Sequence, residues 1–445
     1  MPQTKWTNEF LDKMRMTGDP PADRVAEILW KNRDRDVMND LRFISKNHHI
    51  SLEENLNGLD LEAPLTNEEI EIIAGYFALS DELIKSITEE DKRYIKINSE
   101  IFKKYGFNIC SLLFFKSLPT GYMCPKPGHV LHTTKLLEEF AARRVLETAQ
   151  YVFAVNTENW YEPHNPGIES ILKVRLMHAG MRVAMLHDTR PGHEWDMDLG
   201  IPINQSDLTL TNLLFSLAAI EGLDQMAIHL FDEEREAIFR TWQLIGRAMG
   251  ITEEMCTDNY RDVWNQYRTI LKRQVSTENA AGPPLTNALL LAMNEISHLN
   301  LKLESLEDIT MYFLNDNRAP KSLGLHNPTL FDKITNKVIQ SISSMRIWQR
   351  LFHHQRQGVI NRLYNKLANS VIREKFNLGS YAEKHPGVSP LEAFTKVMLN
   401  AIRFRDMRNF EKMSPSEQKK KFFIDDELYL AWDLGSFKLD VDPNE

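Results

Sequence analysis

An all-α fold is predicted, on three observations. Apolar residues recur at three- and four-residue spacing through Asn67–Phe77, Leu131–Val155, Ile168–Leu186, Leu208–Leu223, Asp232–Gly250 and Tyr260–Gln274. Helix-start signals accompany the pattern: Thr66-x-x-Glu69 is a capping box, and Ser389-Pro390-Leu391-Glu392 and Ser414-Pro415-Ser416-Glu417 add proline at the first helical position. Runs that alternate β-branched and polar residues are nearly absent before the last twenty residues.

Taken in order, a short first helix is followed by Gly18-Asp19-Pro20-Pro21, which opens the next segment. Leu118–Gly128, with Pro119, Pro125 and Pro127, reads as a loop between two apolar helices. Asn156–Gly167 and Pro191–Gln205 flank the Ile168–Leu186 helix. Ala280–Pro284 and Asn315–Pro328 are seams before a C-terminal section, from Phe331 onward, that is richer in Lys and Arg. Its Lys419-Lys420-Lys421 run reads as a solvated helix end. The expected division is an N-terminal helical extension (1–105), a helical core (106–300) and a C-terminal helical section packed on the core (301–445).

Composition narrows the function. A chain of 445 residues with 42% hydrophobic and 26% charged residues can fill a sizeable core. A formal charge of −9 argues against a nucleic-acid partner. Three cysteines, Cys110, Cys124 and Cys256, form no CxxC pair, which excludes thiol-rich zinc modules and a disulfide framework. The N-terminus MPQTKWTNEFLDKM has no apolar run, and no stretch approaches the ~20 residues of a membrane span. A cytoplasmic protein without an integral membrane segment is expected.

One helix carries unusual chemistry. Ile171, Val174, His178, Met181 and Met185 form one stripe of Ile168–Leu186, so a single histidine sits in an apolar face, with Arg175 and Arg182 at −3 and +4 from it. Two readings stay open. The histidine is either a core residue bonded to a backbone carbonyl, its arginines paired with carboxylates on neighbouring helices, or a metal or haem ligand whose arginines face haem propionates. One helix earlier, Arg144, Glu147, Thr148 and Tyr151 form a polar stripe that is either a surface ion pair or the wall of a cavity. Cys124-Pro125 reads as an incidental turn, His129-x-x-His132 as structural, and His353-His354 as solvated.

Five phrases occur in order: Gly18-Asp19-Pro20-Pro21-Ala22-Asp23, Ser117-Leu118-Pro119, Arg144-x-x-Glu147-Thr148-Ala149-Gln150, Val174-Arg175-Leu176-Met177-His178-Ala179-x-x-Arg182, and Gly200-Ile201-Pro202-Ile203-Asn204-Gln205-x-Asp207-Leu208. Together they resemble the catalytic domain shared by bacterial rubber oxygenases (latex-clearing proteins) and fungal MpaB-type ER-bound oxygenases, over roughly residues 15–300. The resemblance implies a globin-like helical core around haem b (heme b), with His178 matching the axial iron ligand. Arg144 and Thr148 match the family's distal arginine and threonine, because Thr148 stands the same 30 residues before His178. The phrase departs where rubber oxygenases carry a distal lysine, here Glu147. The family's upstream catalytic carboxylate has no counterpart in Gly121–Val130. Both departures count against rubber as the substrate.

The expectation is therefore a haem b-dependent oxygenase or related oxidoreductase, with O₂ and a small apolar (lipid- or terpenoid-like) substrate as partners. Arg144, Glu147 and Thr148 are its expected catalytic residues, with Glu147 as the base. His178 is the expected metal ligand, Arg175 and Arg182 the cofactor-binding cations, and Phe153, Met181, Phe215 and Leu217 part of the pocket lining. The alternatives are a haem carrier or sensor without turnover, and a haem-free helical scaffold that binds an apolar ligand.

Overall fold

The capping signals work as their chemistry dictates. Thr66 N–H donates to the Glu69 carboxylate at 2.8 Å while Glu69 N–H donates back to Thr66 Oγ1, opening α3 (Asn67–Ser86). Thr88 and Asp91 repeat the exchange at the start of α4 (Glu89–Leu112). Ahead of them lie α1 (Asn8–Arg15), capped by Thr7, and α2 (Pro20–Asn32), which starts on two prolines. The computed structural model describes residues 5–32, 63–134, 141–163, 165–190, 194–226, 228–297 and 302–327, with a few single positions between 40 and 61. Among the described residues the fold is all-α, with no strand.

Leu118–Gly128, expected as a loop, is helical: α5 (Leu118–Tyr122) and α6 (Pro125–Thr134) occupy it. Pro125 opens α6, where the missing N–H has no intrahelical partner to lose, and Pro119 is the second residue of α5. The seam expected at Ala280–Pro284 likewise becomes the first turn of α12 (Gly282–Ser297). The long Leu131–Val155 run gives α6 and then α7 (Ala141–Val155), the residues between lying outside those described. Next come α8 (Pro166–Leu186), α9 (Gln205–Gln225), α10 (Asp232–Ala248) and α11 (Tyr260–Gln274). After α12 follow α13 (Leu303–Leu314) and α14 (Ala319–Leu323). The Ser389 and Ser414 start signals, His353-His354, the Lys419 run and most of the expected C-terminal section lie outside the described residues.

Helix α9 is buried on nearly every side, and α1, α4, α5, α10 and α11 pack against it. One hydrophobic core runs from Trp6 in the N-terminal segment through α2, α4 and α8–α11 to Phe313. A smaller core lies beneath α12–α14. The expected boundary at 105/106 falls inside α4, and that core is continuous across it. Where α4 ends, Leu113–Ser117 widens into a π-turn. Its Ser117 hydroxyl donates to Leu214 O at 2.7 Å, and buried Lys116 donates to Phe313 O at 2.9 Å, tying the turn to α9 and α13.

Candidate functional site

The candidate residues lie on α7 and α8, which pack against each other. Asn165 caps α8 by accepting from Gly167 N–H, and Pro166 fills its first position. From Lys173 to Ala184 of α8 the half-buried positions are Lys173, Val174, Met177, His178, Met181 and Ala184, while Arg175, Leu176, Ala179, Gly180, Arg182 and Val183 are buried. The histidine therefore stands in a mostly apolar stripe that keeps some open surface. Its Nδ1 is enclosed and has no hydrogen-bond partner. Burial, reinforced by the positive charges of Arg182 and Arg144, pushes its pKa down to about 3. His178 is thus a neutral imidazole at ordinary pH.

On α7, Arg144 donates to the Glu147 carboxylate at 2.8 Å, and Thr148 donates its hydroxyl proton to Arg144 O at 2.9 Å. Arg144 is nearly half exposed (47%) and Glu147 less so (19%). Tyr151, on the same stripe, packs its ring against Phe215 of α9. The structure brings Arg144 within electrostatic reach of His178. Of the residues expected to line a pocket, Met181 and Phe215 keep accessible surface. Phe153 and Leu217 are enclosed core residues, Phe153 packing edge-on against Phe102.

The two arginines beside His178 are occupied by the chain's own carboxylates. Arg175 makes a two-pronged contact with Asp19 (Nε to Oδ2 2.6 Å, Nη2 to Oδ1 2.8 Å) and donates to Ala248 O at 3.1 Å. Arg182 donates to Asp23 at 2.6 Å and to Ile203 O at 2.9 Å, while its Nη2 is enclosed without a partner. Pairing with carboxylates is one of the two readings left open by the sequence: burial demands a counter-charge, and the N-terminal segment supplies one to each.

The residues that sequence reasoning missed are those partners. Asp19 and Asp23 lie in the Gly18-Asp19-Pro20-Pro21-Ala22-Asp23 phrase. Two arginines on a buried helix require two carboxylates, and that requirement was the available signal. Gln205, from another such phrase, donates through Nε2 to Gly18 O and Gly250 O, both at 2.8 Å. Arg15 and Asp207 form a further buried pair at 3.1 Å. Among the described residues no three His, Cys, Asp or Glu side chains gather to hold a metal ion. His129 of α6 packs its ring against Trp195, and Cys124 is buried.

Residues 112–333 match the family model described as the catalytic domain of ER-bound oxygenase mpaB/B'/rubber oxygenase. The chain belongs to this family. It is 23% identical over 209 residues to a rubber oxygenase from Streptomyces sp. (strain K30), an alignment covering 46% of this chain and 50% of the relative. The chain thus matches about half the length of that curated relative. The solved structure of latex clearing protein LCP in the closed state shares the helical fold with a TM-score of 0.56 at 17% identity. That likeness covers 75% of this chain and 84% of the other. Asp19 and Asp23 lie outside the matched family segment. No helix among the described residues is long and apolar enough to cross a membrane.

Proposed function

We propose that this chain is a haem b-dependent oxygenase or related oxidoreductase that acts with O₂ on an apolar, lipid- or terpenoid-like molecule. The family supports oxygenase chemistry on an apolar substrate. The observation that carries the haem reading is His178, a neutral imidazole on a half-open apolar stripe with its Nδ1 enclosed and unpartnered. A neutral imidazole is a good iron ligand. One protein ligand suffices for a haem, whose macrocycle completes the iron's equatorial set. The residues present therefore fit the group.

When bound, haem would supply activation of O₂ at iron. The rest falls to the chain. His178 would hold the iron from one side. Arg144, with guanidinium N–H groups left over from its Glu147 contact, would donate to an oxygen on which negative charge develops. Thr148 has committed its proton to Arg144 O, so it would act by accepting. Glu147, standing where rubber oxygenases carry a lysine, would take a proton from an activated C–H of a substrate lying against Met177, Met181 and Phe215. The propionate contacts expected of Arg175 and Arg182 are not part of this proposal, because Asp19 and Asp23 already neutralise both.

The test is a hemin titration of the purified full-length chain. A Soret band that survives gel filtration in the wild type and is lost in His178→Ala, with helical circular dichroism kept, supports the reading. An unchanged band in the variant removes His178 as the ligand. Absence of any band leaves the haem-free scaffold. A stable oxygenated ferrous form that turns over none of a panel of terpenoid and lipid substrates favours the carrier or sensor.

A further inference from the structure

We propose that Asp19 and Asp23 are positioning residues for His178, acting through Arg175 and Arg182 from outside the segment that matches the family's catalytic domain. This deepens, and rests on, the haem reading. The two arginines lie about one turn before and one turn after the histidine, so fixing both fixes how α8 is rotated and how far it slides along its axis.

The clasp is built with little slack. Asp23 Oδ2 accepts from Asp19 N–H at 2.8 Å, which ties the Asp23 carboxylate to the Asp19 backbone. Pro20 and Pro21 set the first turn of α2 between them. Each ion pair is covered by a glycine. A Cβ on Gly18 would lie 2.5 Å from Asp23 Oδ2, and a Cβ on Gly250 would lie 2.8 Å from Arg175 Nε. Gln205, wholly buried, bonds the carbonyls of both glycines and accepts from Thr252 N–H at 2.9 Å. Four segments thus converge: the α1–α2 turn, α8, the start of α9 and the turn after α10. The face of Tyr76 lies 5.5 Å from the Arg175 guanidinium and closes the remaining side.

A second observation makes this clasp matter for the ring itself. Ligand histidines are ordinarily oriented by a hydrogen bond from the nitrogen that does not bind the metal. His178 Nδ1 has no such partner. Its aim is therefore inherited from the pose of α8, and the pose is held by Asp19 and Asp23.

The experiment compares wild type, Asp19→Asn, Asp23→Asn and the double variant Asp23→Asn/Arg182→Met, all as full-length chains loaded with hemin. It reads hemin affinity, the iron–histidine stretching band of the ferrous form by resonance Raman, and the apparent melting temperature of the haem-free chain. Loss of an orienting outer partner costs about 10- to 100-fold in metal affinity, and a loss in that range with a shifted or broadened band is expected for each single variant. The double variant removes both charges of one pair, so its melting temperature should recover toward wild type while its band stays displaced. A band that returns to the wild-type position together with stability would mean the pairs only hold the fold, and overturns the inference. So does an unshifted band in both single variants of a histidine-ligated wild type. A wild-type chain with no iron–histidine band instead overturns the haem reading, and this inference with it.

Discussion

Arg144 and Glu147 bind each other at 2.8 Å across one turn of α7, with the guanidinium facing partly to solvent. A pair this exposed contributes roughly 0–1 kcal/mol to stability, so its interest is chemical. Glu147→Gln should leave the melting temperature nearly unchanged and keep the ferric spectrum of the hemin-loaded chain, while depressing turnover, because an amide cannot take a proton. Glu147→Lys should shift that spectrum toward low spin by placing a nitrogen donor near the iron. Optical and EPR spectra of both variants decide the matter. Identical spectra in all three forms would return the pair to a surface role.

His178 gives the haem-free chain a pH dependence of definite sign. Burial first, then the charges of Arg182 and Arg144, push its pKa from the ordinary 6.5 to about 3. As pH falls through 6.5 the unfolded chain takes up a proton that the folded chain refuses. Stability is therefore lost between about pH 6.5 and pH 3. His178→Gln should flatten this part of the profile. Urea midpoints measured near pH 7.5 and pH 5 test it, and equal slopes in the two proteins would show that the ring is solvated in the folded state.

The fold was legible because periodicity and caps act locally. Thr66-x-x-Glu69 formed its predicted exchange, and the runs that became α8 through α11 were found within a few residues of their ends. Proline punctuates a sequence equally as a loop and as a first turn, so Leu118–Gly128 reads as a loop and folds as α5 and the start of α6. In the candidate site, the stripes holding His178 and Arg144 could be read from spacing alone. The partners of Arg175 and Arg182 could not, since Asp19 and Asp23 lie more than 150 residues away and meet them only through tertiary packing. Spacing shows that a buried charge needs compensation; it does not show which segment provides it.

Two glycines should respond oppositely to alanine. Gly250 has φ +93°, and a Cβ there would meet the Asp19 carboxylate. Gly250→Ala combines left-handed strain with that clash and should cost at least 1–3 kcal/mol. Gly75 lies inside α3 with nothing within 4 Å of its would-be Cβ, so Gly75→Ala should stabilise by about 0.5–1 kcal/mol. Chemical denaturation of both variants checks the pair. A neutral Gly250→Ala would show that the turn after α10 yields, and that Asp19 and Arg175 are held less firmly than their distances indicate.

Arg15 and Asp207 supply the most severe test of buried charge outside the candidate site. Their side chains are 8% and 7% exposed and meet at 3.1 Å, with Asn204 Nδ2 also donating to Asp207 at 2.8 Å. Burial raises the Asp207 pKa above its usual 3.8, and the charge of Arg15 is the chief influence opposing that rise. Arg15→Met strands the carboxylate and should cost about 3–5 kcal/mol near neutral pH. The cost should shrink with acidification. Without Arg15 the Asp207 pKa in the folded state moves still higher, so the folded variant takes up a proton before the unfolded chain does and regains stability as pH falls. Arg15→Met/Asp207→Asn should recover much of the loss at every pH, because no uncompensated charge remains. Unfolding free energies of both variants near pH 8 and pH 5 settle it, and a loss independent of pH would mean that Arg15 acts through its Leu199 carbonyl contact rather than through Asp207.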